Sequence, residues 1–273
     1  MKKANFFLVN TFCSKHLKGN PTPIYILESS IPNERMEVLA AEMNMPVSVF
    51  LYKSRDQDVY NIRYFTKTGE IEACGHGTLG AAYVLFSQYQ NTNKITFKTI
   101  EDLEIICAFE EEITFVEYPK FELEKTATLP KINTALGIKS HLSYFYCKAL
   151  ESVFIELRDE HEVQSIRPNF DDLIRATNTI KEVVVMSKAL NKSYDYVLRS
   201  FCPWIGINED PVTGSIHSVL GHFMQEKLNK NSIIVKQASE RGGQLIIKPL
   251  EDKVKIGGDC NMLIKGNIRS PYL

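Results

Sequence analysis

Two short glycine-rich segments carry the residue types that could do chemistry. Gly75-His76-Gly77-Thr78 and Thr213-Gly214-Ser215 each open an apolar stretch of helical periodicity. A helix N-terminus offers unpaired N–H groups and the positive end of the helix dipole. Glycine there lets a ligand approach the backbone closely, and a Ser or Thr hydroxyl adds a donor. Two such ends facing one ligand would hold a small anion, most simply a carboxylate. A plainer reading also fits, in which Thr78, Thr213 and Ser215 are ordinary helix caps. His76, with an ordinary pKa of about 6.5, could act as acid, base or donor, or be pinned as a loop residue. Asp210, between Glu209 and Pro211, could orient a proton-carrying group or simply complement the dipole.

Gly75, Gly77 and Gly80 also satisfy the dinucleotide pattern G-x-G-x-x-G, and Glu101 follows about 20 residues on. The context argues against a nucleotide. The preceding Gly69-Glu70-Ile71-Glu72 is short and acidic rather than a buried apolar strand, and no strand–helix alternation follows. Nor does the sequence point to a metal. Cys13, Cys74, Cys107, Cys147, Cys202 and Cys260 are scattered without C-x-x-C spacing, as expected of reduced, mostly buried thiols. His217 and His222 would lie on different faces of one helix.

The elements that must position these residues are mostly short strands. The chain has 273 residues, 44% apolar and 24% charged, the composition of a soluble globular protein. Its net charge of −1 attracts no polyanion, so neither nucleic acid nor an anionic membrane is an expected partner. The longest apolar run, Ala81–Phe86, is far short of the roughly 20 residues that span a bilayer, and no signal peptide is evident. A cytoplasmic protein is expected. Alternating runs from Asn5–Phe12 to Lys253–Gly257 read as strands, joined by hairpin-length linkers such as Glu110-Glu111-Glu112 and Leu150-Glu151. Helical periodicity is confined to Asn33–Met43, Thr78–Tyr89, Phe170–Thr177 and Ser215–Leu228. This is an α+β pattern with largely antiparallel sheets. Charged residues displace the apolar alternation at Lys120–Thr128, which reads as a domain boundary. A faint echo links the halves. Arg63-Tyr64-Phe65 leads through an acidic stretch to the first glycine-rich segment, and Arg199-Ser200-Phe201 leads through Asn208-Glu209-Asp210 to the second.

These motifs together resemble the PhzF-like (phenazine-biosynthesis) isomerases. Glu70-x-x-x-Cys74-Gly75-His76-Gly77-Thr78-Leu79-Gly80-Ala81-Ala82 resembles the first signature of that family. Arg199-x-Phe201-x-Pro203-x-x-Gly206-Ile207-x-Glu209-Asp210-Pro211-Val212-Thr213-Gly214-Ser215-x-His217 resembles the second, and Gln237-Ala238-Ser239-x-Arg241-Gly242-Gly243 a third. Gly19-Asn20-Pro21 and Ala40-x-Glu42-x-Asn44 match the opening of the family. The resemblance implies a diaminopimelate-epimerase-like fold of two similar domains, residues 1–119 and 120–262, with about 263–273 packing back on the first. Each would be a curved sheet around a central helix, with the active site between the domains at both helix starts. It implies catalytic roles for His76, Asp210 and Ser215, and substrate binding at Asn20, Gly75, Gly77, Thr78, Thr213 and Gly214. It also implies a small carboxylic-acid substrate, a homodimer, and neither cofactor nor metal.

One position departs from the family. Its usual Asn-x-Ser-Glu-Thr-x-Phe is here Asn44-Met45-Pro46-Val47-Ser48-Val49-Phe50, so Val47 stands where the family has its proposed acid/base Glu. A valine moves no proton. Cys74 aligns with one of the two thiols of the diaminopimelate epimerases, but Asp210-Pro211-Val212-Thr213 offers no second thiol, and an inert Cys74 is the simpler reading. Two functions therefore stay open: an isomerase that shifts a proton next to a carboxylate, or a small-molecule binding protein on the same scaffold. A dehydrogenase is the residual reading of the glycine pattern.

Overall fold

A computed structural model describes residues 3–56, 58–89 and 92–269. The chain divides into two units, Met1–Glu117 with Gly257–Leu273, and Tyr118–Ile256. The first runs β1 (Lys3–Cys13), β2 (Asn20–Leu27), α1 (Asn33–Met43), β3 (Ser48–Lys53), β4 (Val59–Thr66), β5 (Gly69–Ile71), α2 (Gly75–Gln88), β6 (Lys94–Lys98), β7 (Glu104–Glu110) and β8 (Ile113–Pro119). The hairpins are antiparallel. Glu111 and Glu112, both at positive φ, turn β7 into β8 over two residues. The β2–β3 and β4–β6 pairs are parallel, and such pairs need a crossover, which α1 and α2 supply. On its outer edge β1 pairs with residues 259–269 of the returning chain.

Helix α2 is buried from His76 through Ala82 and again at Val84 and Leu85, and packs against β1, β2, β3 and β7. A helix apolar on every side must be enclosed, and the strands wrap it. On the opposite face of the sheet α1 covers a separate cluster. There Tyr25 stacks on Phe50 at 4.5 Å, with Phe65 edge-on to Phe50 at 5.5 Å.

The second unit runs β9 (Glu124–Lys125), α3 (Pro130–Leu136), β10 (Ser143–Cys147), β11 (Ser152–Glu156), α4 (Glu160–Ser165), α5 (Phe170–Ala176), β12 (Glu182–Lys188), β13 (Tyr196–Phe201), α6 (His217–Leu228), β14 (Ile233–Gln237) and β15 (Gly243–Pro249). The last strand, β16 (Lys253–Arg269), carries the chain back into the first unit. The pairing order repeats that of the first unit. The β10–β11 pair is antiparallel, β11–β12 parallel, β12–β13 antiparallel, β13–β14 parallel and β14–β15 antiparallel. Helix α6 packs on β14 and β15, while α3, α4 and α5 close an apolar cluster around Val163, Leu173, Val183 and Phe201. No helix among the described residues is long and apolar enough to cross a membrane.

Several expectations need correction. The strand pairs are largely antiparallel, as expected, but each unit also holds two parallel pairs, because four connections pass through helices rather than tight turns. Strand β2 was missed since Pro21 and Pro23 disguise it. Over residues 20–23 it pairs only with β1, so its missing N–H groups can face an unpaired side. The final strand does not stop at Gly257, and the return to the first unit begins there rather than near residue 263. Helix α2 begins at Gly75 instead of Thr78, and α6 at His217 instead of Ser215.

Gly257 leaves no room for a side chain. A Cβ there would lie 2.4 Å from Cδ1 of Phe115 and 2.7 Å from the Thr114 carbonyl oxygen. Gly257→Ala is expected to destabilise the fold by about 1–3 kcal/mol through overpacking. The check is a lower urea midpoint at unchanged m-value; an unmoved midpoint would show that β8 yields freely.

Candidate active site

In the first unit the candidate residues gather at the start of α2. Cys74 occupies the N-cap position with extended backbone and no side-chain cap. The first backbone bond of the helix runs from the Thr78 N–H to the Cys74 carbonyl, so the turn carrying Gly75, His76 and Gly77 opens the helix. His76 is buried, and burial pushes its imidazole down to about 4, so the ring is neutral at pH 7. Its Nδ1 lies 3.3 Å from the half-buried Cys74 Sγ. The Thr78 hydroxyl is engaged internally: it donates to the Cys74 carbonyl at 2.8 Å and shares a 2.5 Å bond with the Tyr64 hydroxyl. Asn20 is buried at the head of β2, opposite Thr11. Val47 is buried just before β3.

In the second unit they gather in the loop between β13 and α6. Asp210 donates its N–H to the Ser200 carbonyl, and its Oδ2 accepts the Thr213 hydroxyl at 2.7 Å. Gln237, fully buried at the end of β14, fixes this loop from beneath. Its Oε1 accepts the Thr213 N–H at 2.8 Å, and its Nε2 donates to the Asp210 carbonyl at 2.8 Å. Ser239 adds a bond to the Pro211 carbonyl. From Gly214 the chain tightens into i→i+3 bonds, His217 N–H to Gly214 and Ser218 N–H to Ser215, before α6 proper. Ser215 is half-buried in that turn. His217 is wholly buried and bonded through Nδ1 to the Tyr196 hydroxyl at 2.7 Å; burial pushes it down to about 3.

An arginine fork holds each half. Arg63 on β4 donates Nε and Nη2 to the two oxygens of Glu70, and Nη1 to Asn33 at the start of α1. Arg199 on β13 donates the same two nitrogens to Glu209, and Nη1 to the Ile166 carbonyl after α4. Each guanidinium lies over the phenylalanine two residues on, Phe65 and Phe201.

His76, Gly75, Gly77 and Thr78 thus gather at one helix start, and Asp210, Thr213, Gly214 and Ser215 at the other. Thr78 and Thr213 are neither helix caps nor offered hydroxyl donors, since internal partners hold both. The G-x-G-x-x-G spacing serves packing. A Cβ on Gly77 would come within 2.9 Å of Val49, and one on Gly80 within 3.1 Å of Thr11, so the helix lies tight against β3 and β1. Sequence reasoning passed over Gln237 and Tyr64; the signal for Gln237 was a lone amide closing an apolar strand inside the third motif. Among the described residues no cluster of three His, Cys, Asp or Glu side chains is arranged to hold a metal ion.

Comparison with known proteins gives these halves a context. A phenazine biosynthesis-like protein family model matches residues 9–266. An uncharacterized isomerase of Halalkalibacterium halodurans is 32% identical over 271 residues, covering 98% of this chain and 99% of that one. The crystal structure of a PhzF-family phenazine biosynthesis protein from Enterococcus faecalis superposes with a TM-score of 0.89 at 32% identity, covering 98% and 99% of the two chains. A hydroxyproline epimerase of Agrobacterium vitis shares the fold alone, at 9% identity, a TM-score of 0.57 and coverage of 98% and 91%. The fold is that of the PhzF and epimerase-like proteins. Within it, the chain belongs to the phenazine biosynthesis-like, PhzC-PhzF, family.

Two expectations follow. Because burial lowers both histidines, the unfolded chain binds protons that the native state refuses, and stability must fall as pH drops from 6.5 towards 4. His76 alone should account for roughly 3 kcal/mol of that loss. Urea midpoints measured across that range should show a slope that His76→Asn visibly flattens. Gln237→Met would take the acceptor from the buried Thr213 N–H and one donor from the Asp210 carbonyl. A loss of about 2–4 kcal/mol is expected, with faster amide hydrogen exchange at Thr213.

Proposed function

We propose that the chain is a cofactor-independent isomerase that shifts a proton on a carbon next to the carboxylate of a small molecule. The observation that carries this reading is the buried, neutral imidazole of His76 at the opening turn of α2. Such a ring can accept or pass a proton, and it sits where backbone N–H groups can stabilise developing enolate charge. Asp210 is held ready by Thr213 and Gln237 for the partner role. Ser215 joins them in the catalytic set, and Asn20 and the turns at Gly75, Gly77 and Gly214 are assigned to substrate binding, with the backbone at Thr78 and Thr213 shaping those turns. The isomerase named among the relatives supports the reaction class, and the hydroxyproline epimerase, solved with bound trans-4-hydroxy-L-proline, supports a carboxylic acid as substrate.

Val47 favours the second reading, a binding protein that has lost the chemistry. Ile24 and Val49 open the parallel β2–β3 ladder, and extending its register two residues back, before the paired stretch begins, brings Thr22 level with Val47. The Thr22 hydroxyl is buried and has no hydrogen-bond partner among the described residues. A carboxylate at position 47 would supply one, and apolar surroundings would raise its pKa towards the range of a working acid/base.

The deciding experiment is deuterium uptake from D2O, followed by NMR, over a panel of unsaturated, hydroxy and amino acids that includes trans-4-hydroxy-L-proline. The isomerase reading expects the natural chain to exchange the proton next to the carboxylate, and His76→Ala to reduce exchange by about 10²–10⁴-fold. Val47→Glu is expected to raise the rate. Exchange seen only in Val47→Glu would establish the binding-protein reading instead.

A further inference from the structure

The two units can be matched residue by residue. Arg63 and Arg199 make the same fork and lie over Phe65 and Phe201, so β4 corresponds to β13. In the first unit Ser48 pairs with Phe65, and in the second Val183 pairs with Phe201. One residue earlier, Val47 therefore corresponds to Glu182. The parallel neighbours agree: Ile24 beside Val49 matches Phe154 beside Val184, which makes Ser152 the counterpart of Thr22. Where the first unit has a valine beside an orphaned hydroxyl, the second has a carboxylate with hydroxyls bound to it.

Glu182 is half-buried at the head of β12. Its Oε2 accepts the Ser152 hydroxyl at 3.2 Å and its Oε1 the Ser200 hydroxyl, and both serines are fully buried. Tyr196 points its hydroxyl at His217 on α6, so Ser200, an even number of residues along the same strand, shares the face turned to that helix. Ser200 is also the residue whose carbonyl anchors the Asp210 N–H. One strand residue thus holds Glu182 through its side chain and Asp210 through its backbone. Cys202, one step past the Val183–Phe201 pair, registers both groups: burial raises its thiol first, and the Asp210 and Glu182 carboxylates add to that. Burial also holds the Glu182 carboxyl above the usual glutamate value, against the opposing pull of the two serine hydroxyls.

We propose that Glu182, the counterpart of Val47 in the second unit, is the carboxyl acid/base of the reaction. The inference rests on the isomerase reading. In the first step the bond from hydrogen to the carbon next to the substrate carboxylate breaks, and the proton forms an O–H bond on Glu182. The electron pair passes into the enediolate. Return of that proton to carbon restores the carboxylate and the enzyme, with no change of oxidation state overall.

A purely structural role is a real competitor, because the two serines tie Glu182 to β11 and β13. Rank order separates the two. Glu182→Gln keeps length and hydrogen-bonding capacity but takes up no proton, whereas Glu182→Asp keeps the acid and shortens it. Deuterium uptake by trans-4-hydroxy-L-proline and the other panel acids is measured across pH for both variants, with urea midpoints as the control for folding and Asp210→Asn to separate the neighbouring carboxylate. The proposal expects Glu182→Gln to lower kcat by about 10²-fold or more with KM nearly unchanged. It expects Glu182→Asp to retain more activity than Glu182→Gln, with a displaced pH profile, and Val47→Glu to restore exchange in the Glu182→Gln background. Exchange by Glu182→Gln within threefold of the natural chain would overturn the assignment and leave the isomerase reading standing, as would Glu182→Asp proving the worse variant. No exchange by the natural chain would bring down the isomerase reading and this assignment with it.

Discussion

In each unit the loop carrying the candidate residues hangs on a guanidinium fork. A glutamate lies in the acidic stretch that leads into the functional helix, and an arginine on the preceding strand grips both of its oxygens. Two parallel N–H···O bonds fix the angle as well as the distance, which a single ammonium contact would not do. The third donor of the same guanidinium reaches the crossover segment on the far side, at Asn33 in one unit and at Ile166 in the other. One side chain thereby joins strand, crossover and entry loop. The charges are largely withdrawn from water, so removing either partner would strand the other, and the loop would lose its fixed course into the helix.

What the forks position is then refined by contacts that leave little slack. Gly77 and Gly80 let α2 lie close on its strands, and Gln237 closes the loop carrying Asp210 with both ends of its amide. The hydroxyls of Thr78 and Thr213 complete these turns. Polar groups around the two helix starts are thus occupied in holding shape. Preorganisation of this kind is what electrostatic stabilisation of a developing charge requires.

Much of this could be read from residue types. The glycine-rich turns, His76, Asp210 and the echo of Arg63-Tyr64-Phe65 in Arg199-Ser200-Phe201 all announce themselves by composition and spacing. The sequence also shows that Val47 interrupts the family pattern. What stayed hidden depends on register. Strand β2 carries prolines that only an unpaired flank makes tolerable, and the parallel pairs follow from helices whose crossing direction no local pattern encodes. Glu182 looks like an ordinary polar residue opening a valine-rich strand. Its meaning appears only when the ladders place it opposite Cys202, bound to Ser152 and Ser200. The hydroxyls of Thr78 and Thr213 were misread for a related reason, since their internal partners come from backbone geometry at the turns.

The first unit is assembled from both ends of the chain, and this sets an order of completion during synthesis. The second unit is one uninterrupted segment and can close as soon as residue 256 has left the ribosome. The first cannot, for the outer edge of β1 has its partner in residues 259–269, which are made after the whole of the second unit. Until that segment is made, a long strand offers unpaired N–H and C=O groups to any passing edge. Loss of residues 259–269 would leave that edge open for good, so a chain without them would be marked by self-association.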